Sequence, residues 1–184
     1  MATARTVREG PKPYGRTRTT RRRVRAPAKV AGSALWRAAD EPEREELLLL
    51  DTHVWLWTLS GATERMAAAT VHLVHTAAGA GRLYVSDISF WEVALKTAKG
   101  KLTLSMDPIL WLERAARAPG IRALPITREL LIQSTRLPGA MHGDPADRML
   151  IAEAQLGGMS LLTCDDELIA YAAGVAGVRV CDGR

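Results

Sequence analysis

The chain has 184 residues, of which 47% are apolar and 24% are charged. That length and composition suit one domain with a hydrophobic core and exclude a chain that is disordered throughout. The formal net charge of +5 is the sum of two opposite contributions, since residues 1–37 carry a net charge of +10 and residues 38–184 carry a net charge of −5. The larger part is therefore not a domain that binds nucleic acid through its overall positive charge.

The cysteine content and the hydropathy pattern indicate the cellular compartment in which we expect the protein. Cys164 and Cys181 are the only cysteines; they are too few for a disulfide scaffold and are not spaced like a metal knuckle. No apolar run approaches the roughly 18 residues of a membrane span, and the densest one, 47–50, is followed at once by Asp51. We expect a cytoplasmic protein without a membrane partner.

The N-terminal region differs from the rest in composition. Residues 1 to about 40 are rich in Arg, Thr, Pro, Ala and Gly and contain few large apolar residues, a composition typical of disorder. We expect a disordered basic extension over 1–46 and a folded domain over 47–184. The extension could tether RNA, remain a solvated tail, or precede a true translation start near Leu47.

From residue 47 onward, short apolar runs alternate with longer amphipathic ones, as in repeated βα units with a parallel sheet. The predicted strands are 47–50, 83–86, 122–126, 161–163 and 178–181. The predicted helices are 52–59, 64–77, 90–98, 108–118, 128–136, 145–156 and 167–173. The first strand could equally continue a helix, because its leucines follow two glutamates. The expected fold is a three-layer α/β/α sandwich around a mainly parallel sheet of about five strands.

Four acidic residues lie where a predicted strand passes to a helix or where a helix begins: Asp51, Glu92, Asp147 and Asp165. Parallel strands end at one crevice, so side chains from separate βα junctions can converge there. Convergent carboxylates repel one another unless a cation or protons separate them. Hard oxygen ligands in such a crevice favour Mg²⁺ or Mn²⁺.

Three of these acids, Glu92, Asp147 and Asp165, also have a purely structural interpretation, and for Asp147 it is that of an acid in the first turn of a helix. Ser89 and Glu92 have the spacing of a capping box at a helix start. Asp165 suits the N-cap of the last helix, and Asp144 with Pro145 suits the N-cap of the helix that contains the fourth acid. Taken singly, each position is compatible with a cap alone.

Asp147 fits the structural interpretation least well. It precedes Leu150 and Ile151 by three and four residues, so it shares the helix face that points toward the core. A carboxylate aimed inward needs a partner, and a metal ion is one. His53 and His142 lie beside the acids in sequence and could belong to the site or to the scaffold.

Four segments in this order and at these spacings form a specific combination: 49–57 (LLDTHVWLW), 85–96 (VSDISFWEVALK) with GKL at 100–102, 142–152 (HGDPADRMLIA) and 161–165 (LLTCD). Together they resemble the PIN-domain ribonucleases, specifically the VapC-type toxins of bacterial toxin–antitoxin pairs. The resemblance covers three quarters of the chain. One departure is Ala146, where related sequences often carry a bulky aromatic residue, and it concerns local packing rather than the acids.

The resemblance implies a Mg²⁺-dependent endoribonuclease, with Mn²⁺ as a possible substitute, that leaves a 5′-phosphate and a 3′-hydroxyl. By analogy, Asp51 and Asp147 are the closest metal ligands, and Glu92 and Asp165 complete the cluster, partly through water. Thr163 or Ser89 could orient a ligand or a water. The resemblance also implies a homodimer, an RNA substrate and a cognate antitoxin that covers the crevice.

Two other interpretations use the same crevice. A non-catalytic PIN-fold module would bind RNA or a protein partner without cleaving, and the presence of all four acids argues against it. A receiver-like domain phosphorylated at Asp51 would need a second acid beside it and a lysine at the end of the last strand, where Val180, Cys181 and Asp182 stand instead.

Aromatic and basic side chains near the crevice leave further alternatives. Four tryptophans on predicted helices could fill the core or line a groove for an antitoxin helix: Trp55, Trp57, Trp91 and Trp111. From residue 47 onward, thirteen Lys or Arg nearly balance fourteen acids, so RNA must be held locally. The candidates for that role, or for a merely solvated face, are Lys96, Lys99, Lys101 and Arg148.

Overall fold

The computed structural model describes residues 46–141, 143–175 and 179–184. The strands are β1 Leu48–Leu50, β2 Leu83–Ser86, β3 Ile121–Leu124, β4 Ser160–Thr163 and β5 Val180–Asp182. The helices are α1 Thr52–Ser60, α2 Ala68–Gly79, α3 Asp87–Ala98, α4 Pro108–Ala116, α5 Arg128–Ser134, α6 Pro145–Gly157 and α7 Asp166–Gly174. Within these ranges, no helix is both long enough and apolar enough to cross a membrane.

The five strands form one parallel sheet in the order β3-β2-β1-β4-β5. The central strand β1 pairs with β2 on one side and with β4 on the other, and its three leucines are fully buried. Helices cover both faces of the sheet. Because the side chains on both faces of its central strands are then buried, such a strand has a continuous apolar sequence. Residues 48–50 are therefore a strand, and the expected three-layer fold is confirmed.

Two apolar clusters lie on opposite faces of the sheet, because successive side chains of a strand point in opposite directions. Leu49 belongs to the cluster that contains Leu150 of α6 and other residues of α5 to α7. Leu50 belongs to the cluster that contains Trp55 of α1 and residues of α2 to α4. The strand ends, where β1 and β4 pass to their helices, lie between these two layers.

Trp55 is a core residue. Its side chain is fully buried, and its ring centroid lies 4.6 Å from that of Phe90 and 5.6 Å from that of Trp111. The core interpretation is confirmed for this tryptophan. Trp91, in contrast, is 49% exposed on α3, so the tryptophans do not share one role.

Helix α3 begins three residues earlier than the sequence predicted. The hydroxyl of Ser86 caps it by accepting the N–H of Ile88 at 3.3 Å, a local bond that is available as soon as β2 ends. The capping box of Ser89 and Glu92 is therefore wrong. Ser89 lies inside the helix and is buried, and Glu92 lies in the second turn.

The predicted helix 64–77 is wrong at its start. Thr63–Arg65 forms a single 3₁₀ turn, and α2 begins only at Ala68. Met66 separates the two with extended backbone, φ −123° and ψ 152°, and is 8% exposed. Burial of this side chain in the core thus outweighs the local helical pattern.

Some predictions fall outside the described residues. These are the disordered extension over 1–46, of which only Glu46 is described, His142, and the beginning of the last predicted strand at Val178.

Candidate active site

Asp51 follows β1 directly and lies at the centre of the sheet edge. Its N–H donates to the carbonyl of Leu162 at 3.0 Å, which extends the β1–β4 pairing by one bond and fixes the residue in place. The side chain is only 4% exposed. Burial raises the pKa of Asp51, with Glu92 acting in the same direction, while a hydrogen bond from Thr163 and the nearby His53 act against the shift.

Thr163, the last residue of β4, connects two of the acids. Its hydroxyl donates to Oδ2 of Asp51 at 2.6 Å and accepts the N–H of Asp165 at 3.0 Å. The hydrogen bond to Asp51 is the contact through which Thr163 would orient a ligand side chain. The other hydroxyl considered, that of Ser89, accepts a hydrogen bond from Thr52 at 2.9 Å.

Asp165 and Asp144 are helix caps, as their sequence context predicted. Oδ1 of Asp165 accepts the N–H groups of Glu167 at 2.8 Å and Leu168 at 3.2 Å at the start of α7. Oδ1 of Asp144 accepts the N–H of Ala146 at 2.8 Å at the start of α6. A cap uses one carboxylate oxygen, so capping and a role in the site are compatible for Asp165.

Glu92 forms an ion pair along α3. Its Oε1 lies 2.6 Å from Nζ of Lys96, and both side chains are largely buried, 17% and 29% exposed respectively. Nζ of Lys96 also lies 3.2 Å from Nε2 of His53. The i,i+4 spacing of Glu92 and Lys96 is readable in the sequence, whereas the contact with His53 needs α1 and α3 to be neighbours.

The pKa of Asp147 responds to the charges of the other three predicted site acids. The residue is half-buried on the third position of α6. Its pKa is raised to about 7, first by burial and then by the charges of Asp144, Asp51, Glu92 and Asp165. All four predicted site residues therefore share one electrostatic environment at the carboxyl ends of the strands.

The donor set of this environment fits a hard divalent cation. It consists of carboxylate oxygens, which Mg²⁺ and Mn²⁺ prefer, and a cation would offset the repulsion that raises the pKa of Asp147. In the described part of the chain, no three His, Cys, Asp or Glu side chains lie close enough together to hold a metal ion. The four acids therefore affect one another electrostatically, but they do not form a closed coordination shell.

Two further side chains of α6 have surroundings that the sequence did not predict. Arg148, considered there as an RNA contact, donates from its guanidinium to the carbonyls of Ser134 at 3.0 Å and Met141 at 3.3 Å. Glu153 of α6 is 7% exposed, and its Oε2 has no hydrogen-bond partner. No sequence pattern distinguished this glutamate from a surface residue, because its burial depends on how α6 packs on the start of α3.

Comparisons with known proteins bear on this arrangement. The sequence profile of the PIN domain matches residues 48–174. The chain is 31% identical over 121 residues to Ribonuclease VapC22 of Mycobacterium tuberculosis (strain ATCC 25618 / H37Rv), an alignment that covers 66% of this chain and 88% of the relative.

Two solved structures share the fold. A DNA-bound VapBC from Salmonella typhimurium has a TM-score of 0.51 at 16% identity, and VapBC2 from Rickettsia felis, bound to a DNA fragment from its promoter, has 0.55 at 10% identity. Each alignment covers 74% of this chain and 98% of the other. At this identity the likeness concerns the fold alone.

Proposed function

The chain belongs to the PIN-domain family, and from that premise we propose that it is a Mg²⁺-dependent endoribonuclease, the toxin of a VapC-type toxin–antitoxin pair. The observation that carries the proposal is the arrangement at the strand ends, where the Thr163 hydroxyl donates to Asp51 at 2.6 Å and accepts the N–H of Asp165 at 3.0 Å. Asp147 lies near enough to these acids for their charges, after burial and Asp144, to raise its pKa. The similarity to a protein named as a ribonuclease supports the reaction class.

In this proposal Asp51 and Asp147 hold the metal most directly, and Glu92 and Asp165 complete the acidic cluster. When bound, the metal would supply a water of lowered pKa and offset charge on the phosphodiester. Thr163 orients the carboxylate of Asp51 through its 2.6 Å hydrogen bond. Because the same hydroxyl accepts the N–H of Asp165, the acids that follow β1 and β4 keep a fixed spacing.

Lys96 contributes a second positive charge to the site. Its ammonium pairs with Glu92 and therefore reduces the repulsion that Glu92 exerts on the other carboxylates. The same ammonium lies 3.2 Å from Nε2 of His53, so Lys96 links α3 to the first turn of α1 beside Asp51.

The proposal includes partners and a setting. Residues 47–184 form the nuclease domain, and the substrate is RNA. The two solved structures that share the fold are VapBC assemblies, so we extend the proposal to a cognate antitoxin that covers the acidic crevice and to a homodimer of this chain. The cytoplasm is the compartment in which such a protein would meet its RNA.

The test is cleavage of RNA by the purified protein with Mg²⁺ and with EDTA. We expect the wild-type protein to cleave with Mg²⁺ only, and Asp51→Asn to lose activity by at least two orders of magnitude, as removal of a charge-stabilising group typically does. Asp107→Asn is a matched control, because Asp107 is an exposed cap of α4 whose charge is not among those that act on Asp51 or Asp147, and Asn is an equally good cap.

Two outcomes would contradict the proposal. Equal cleavage by the wild-type protein and Asp51→Asn would mean that the acidic cluster does not carry the reaction. No cleavage by either protein, together with no binding of Mg²⁺ or Mn²⁺ in calorimetry, would favour a non-catalytic PIN-fold module instead.

A further inference from the structure

A pocket of about 370 Å³ lies between the edge of the sheet formed by β2 and β3 and the helices that cover it. Its walls come from these two strands, the start of α5 and the end of α6. None of the four acids of the candidate active site lines it. The volume is within the range of small-molecule sites, about 300–1,000 Å³, so the molecule has a cavity that the proposed reaction does not use.

The walls of this pocket are largely apolar. They include the side chains of Leu47, Tyr84, Leu124, Leu130, Leu156 and Met159. Leu130 and Met159 belong to the buried core, whereas Leu156 is 46% exposed. An alkyl chain in the pocket would remove the exposed leucine surface from water, which is favourable in proportion to the apolar area buried.

One buried carboxyl interrupts the apolar lining. Glu153 contributes to the wall of the pocket and is only 7% exposed. Among the described residues, Oε2 of Glu153 has no hydrogen-bond partner, although the carboxyl also interacts with the Ser86 hydroxyl. A buried acceptor without a donor costs free energy, so a donor supplied by a ligand would be bound favourably there.

A second carboxyl gives the pocket its net charge. Glu129, in the first turn of α5, also lines the pocket and is exposed. No Lys, Arg or His in the described part of the chain contributes to the lining. The pocket therefore offers two negative groups, one buried and one exposed, with apolar walls around them, and it is complementary to a cation with an aliphatic body.

We propose that this pocket is a binding site for a small aliphatic diamine. One ammonium group donates to the carboxylate of Glu153, the methylene chain packs against the leucines, and the second ammonium group pairs with Glu129. An ammonium group has three donors and no acceptor, which matches a site whose charged groups are acceptors only. The site is separate from the acidic crevice, so its occupation does not depend on the proposed ribonuclease function.

Binding is measured by titration calorimetry of the full-length protein with hexamethylenediamine at pH 8 in EDTA, without RNA. Burial raises the pKa of Glu153 to about 7, so its carboxyl is ionised at this pH, while an alkylammonium, with a pKa near that of lysine, about 10.4, keeps its proton. We expect the diamine to bind, hexylamine to bind more weakly, and hexanol, which has no charge, not to bind.

Two variants separate the roles of the carboxyls. Glu153→Gln should weaken diamine binding at least ten-fold, because a hydrogen bond to a charged group is lost in a buried position. Glu129→Gln should weaken it about two- to five-fold, as expected for an exposed ion pair, and should remove the preference for the diamine over hexylamine. Glu113→Gln is the matched control, since Glu113 is an exposed acid of α4 that does not line the pocket, and it should leave the affinity unchanged.

Several outcomes would overturn the site. These are the absence of binding at millimolar diamine, equal affinity of the wild-type protein and Glu153→Gln, and equal affinity for the diamine and hexanol. If Glu153→Gln does not fold, the loss of the diamine preference in Glu129→Gln still decides the test. Binding of the amide of Nα-acetyl-lysine without binding of the diamine would make the pocket a receptor for a protein side chain and would equally overturn the proposal.

Discussion

Thr163→Val tests how the two strand-end acids are held. Val has nearly the same shape as Thr but has no hydroxyl, so the substitution removes the bond to Asp51 at 2.6 Å and the bond from the N–H of Asp165 at 3.0 Å without leaving a cavity. Thr163 is fully buried and Asp51 is 4% exposed, so water does not readily replace the lost donor.

The expected loss in unfolding free energy is about 2 to 3 kcal/mol, because a buried hydrogen bond to a charged group contributes roughly 1.5–3 kcal/mol and the second bond adds less. The hydrogen bond from Thr163 lowers the pKa of Asp51, so its loss raises that pKa further. Protonation of Asp51 then limits the penalty, which is why the two bonds do not add in full.

The assay is urea unfolding followed by tryptophan fluorescence at neutral pH in EDTA, with Thr163→Ser as control. Ser keeps the hydroxyl and should recover most of the lost stability. In parallel, we expect Thr163→Val to need a higher Mg²⁺ concentration for half-maximal RNA cleavage. A Thr163→Val protein within about 0.5 kcal/mol of the wild type, or one no less stable than Thr163→Ser, would refute the reasoning.

Three further variants address the surroundings of the site. Asp147→Asn removes a carboxylate whose pKa is raised to about 7 by burial and neighbouring acids, so urea unfolding in EDTA at pH 8 should show a gain of about 1 to 3 kcal/mol while RNA cleavage is lost. The pKa of Glu153 is raised from 4.5 to about 7 by burial, so the native protein binds more protons than the unfolded chain between these pH values and its stability falls as pH rises. Glu153→Gln should therefore match the wild type near pH 4 and exceed it by about 2 to 3 kcal/mol near pH 8, measured by unfolding at both pH values. Arg148→Ala loses the hydrogen bonds to the carbonyls of Ser134 and Met141 and should lose about 1 to 3 kcal/mol in the same unfolding assay, with RNA affinity unchanged.

Each of these variants has an outcome that contradicts its premise. An Asp147→Asn protein less stable than the wild type in EDTA would show that the cost of burying an ionised Asp147 beside other acids is not the dominant effect. A stability difference for Glu153→Gln that is constant from pH 4 to pH 8 would exclude titration of Glu153 in that range. Weaker RNA binding by a fully folded Arg148→Ala protein would show that Arg148 contacts RNA.

Much of the fold follows from apolar runs and helix-start residues. Leu48–Leu50 is buried on both faces of the sheet, so its continuous apolar pattern is the signal of a central parallel strand. Asp107, Asp144 and Asp165 mark helix starts because their side chains bond N–H groups two or three residues ahead, an interaction that depends on local sequence alone.

The errors arise where tertiary contacts compete with a local pattern. Ser89 and Glu92 match a capping box, but Ser86 offers a cap three residues earlier, at the point where β2 ends. Ser89 is instead buried against Thr52 of another helix, a contact between residues 37 positions apart that no local rule contains. The same holds for the burial of Met66, which ends the 3₁₀ turn.

The candidate site was accessible to sequence reasoning in part. The four acids follow from the topological rule for parallel sheets and from the family motifs. The influence of the other acids on Asp147 and the contact of Lys96 with His53 depend on how α1, α3 and α6 are arranged in space. These are the features from which the most specific predictions follow.

The strand order has a consequence for the moment at which the acidic cluster forms during synthesis. The central strand β1 is made first, yet one of its two neighbours, β4, is made more than a hundred residues later. A nascent chain that has not yet reached Thr163 leaves Asp51 without its hydrogen-bond donor and lacks Asp165 altogether. Since chains are made from the N-terminus at about 5–20 residues per second, the acidic cluster is completed only late in synthesis. A ribosome translating this message therefore carries a chain without the complete acidic cluster for most of its synthesis, and interrupted translation releases fragments that lack the cluster.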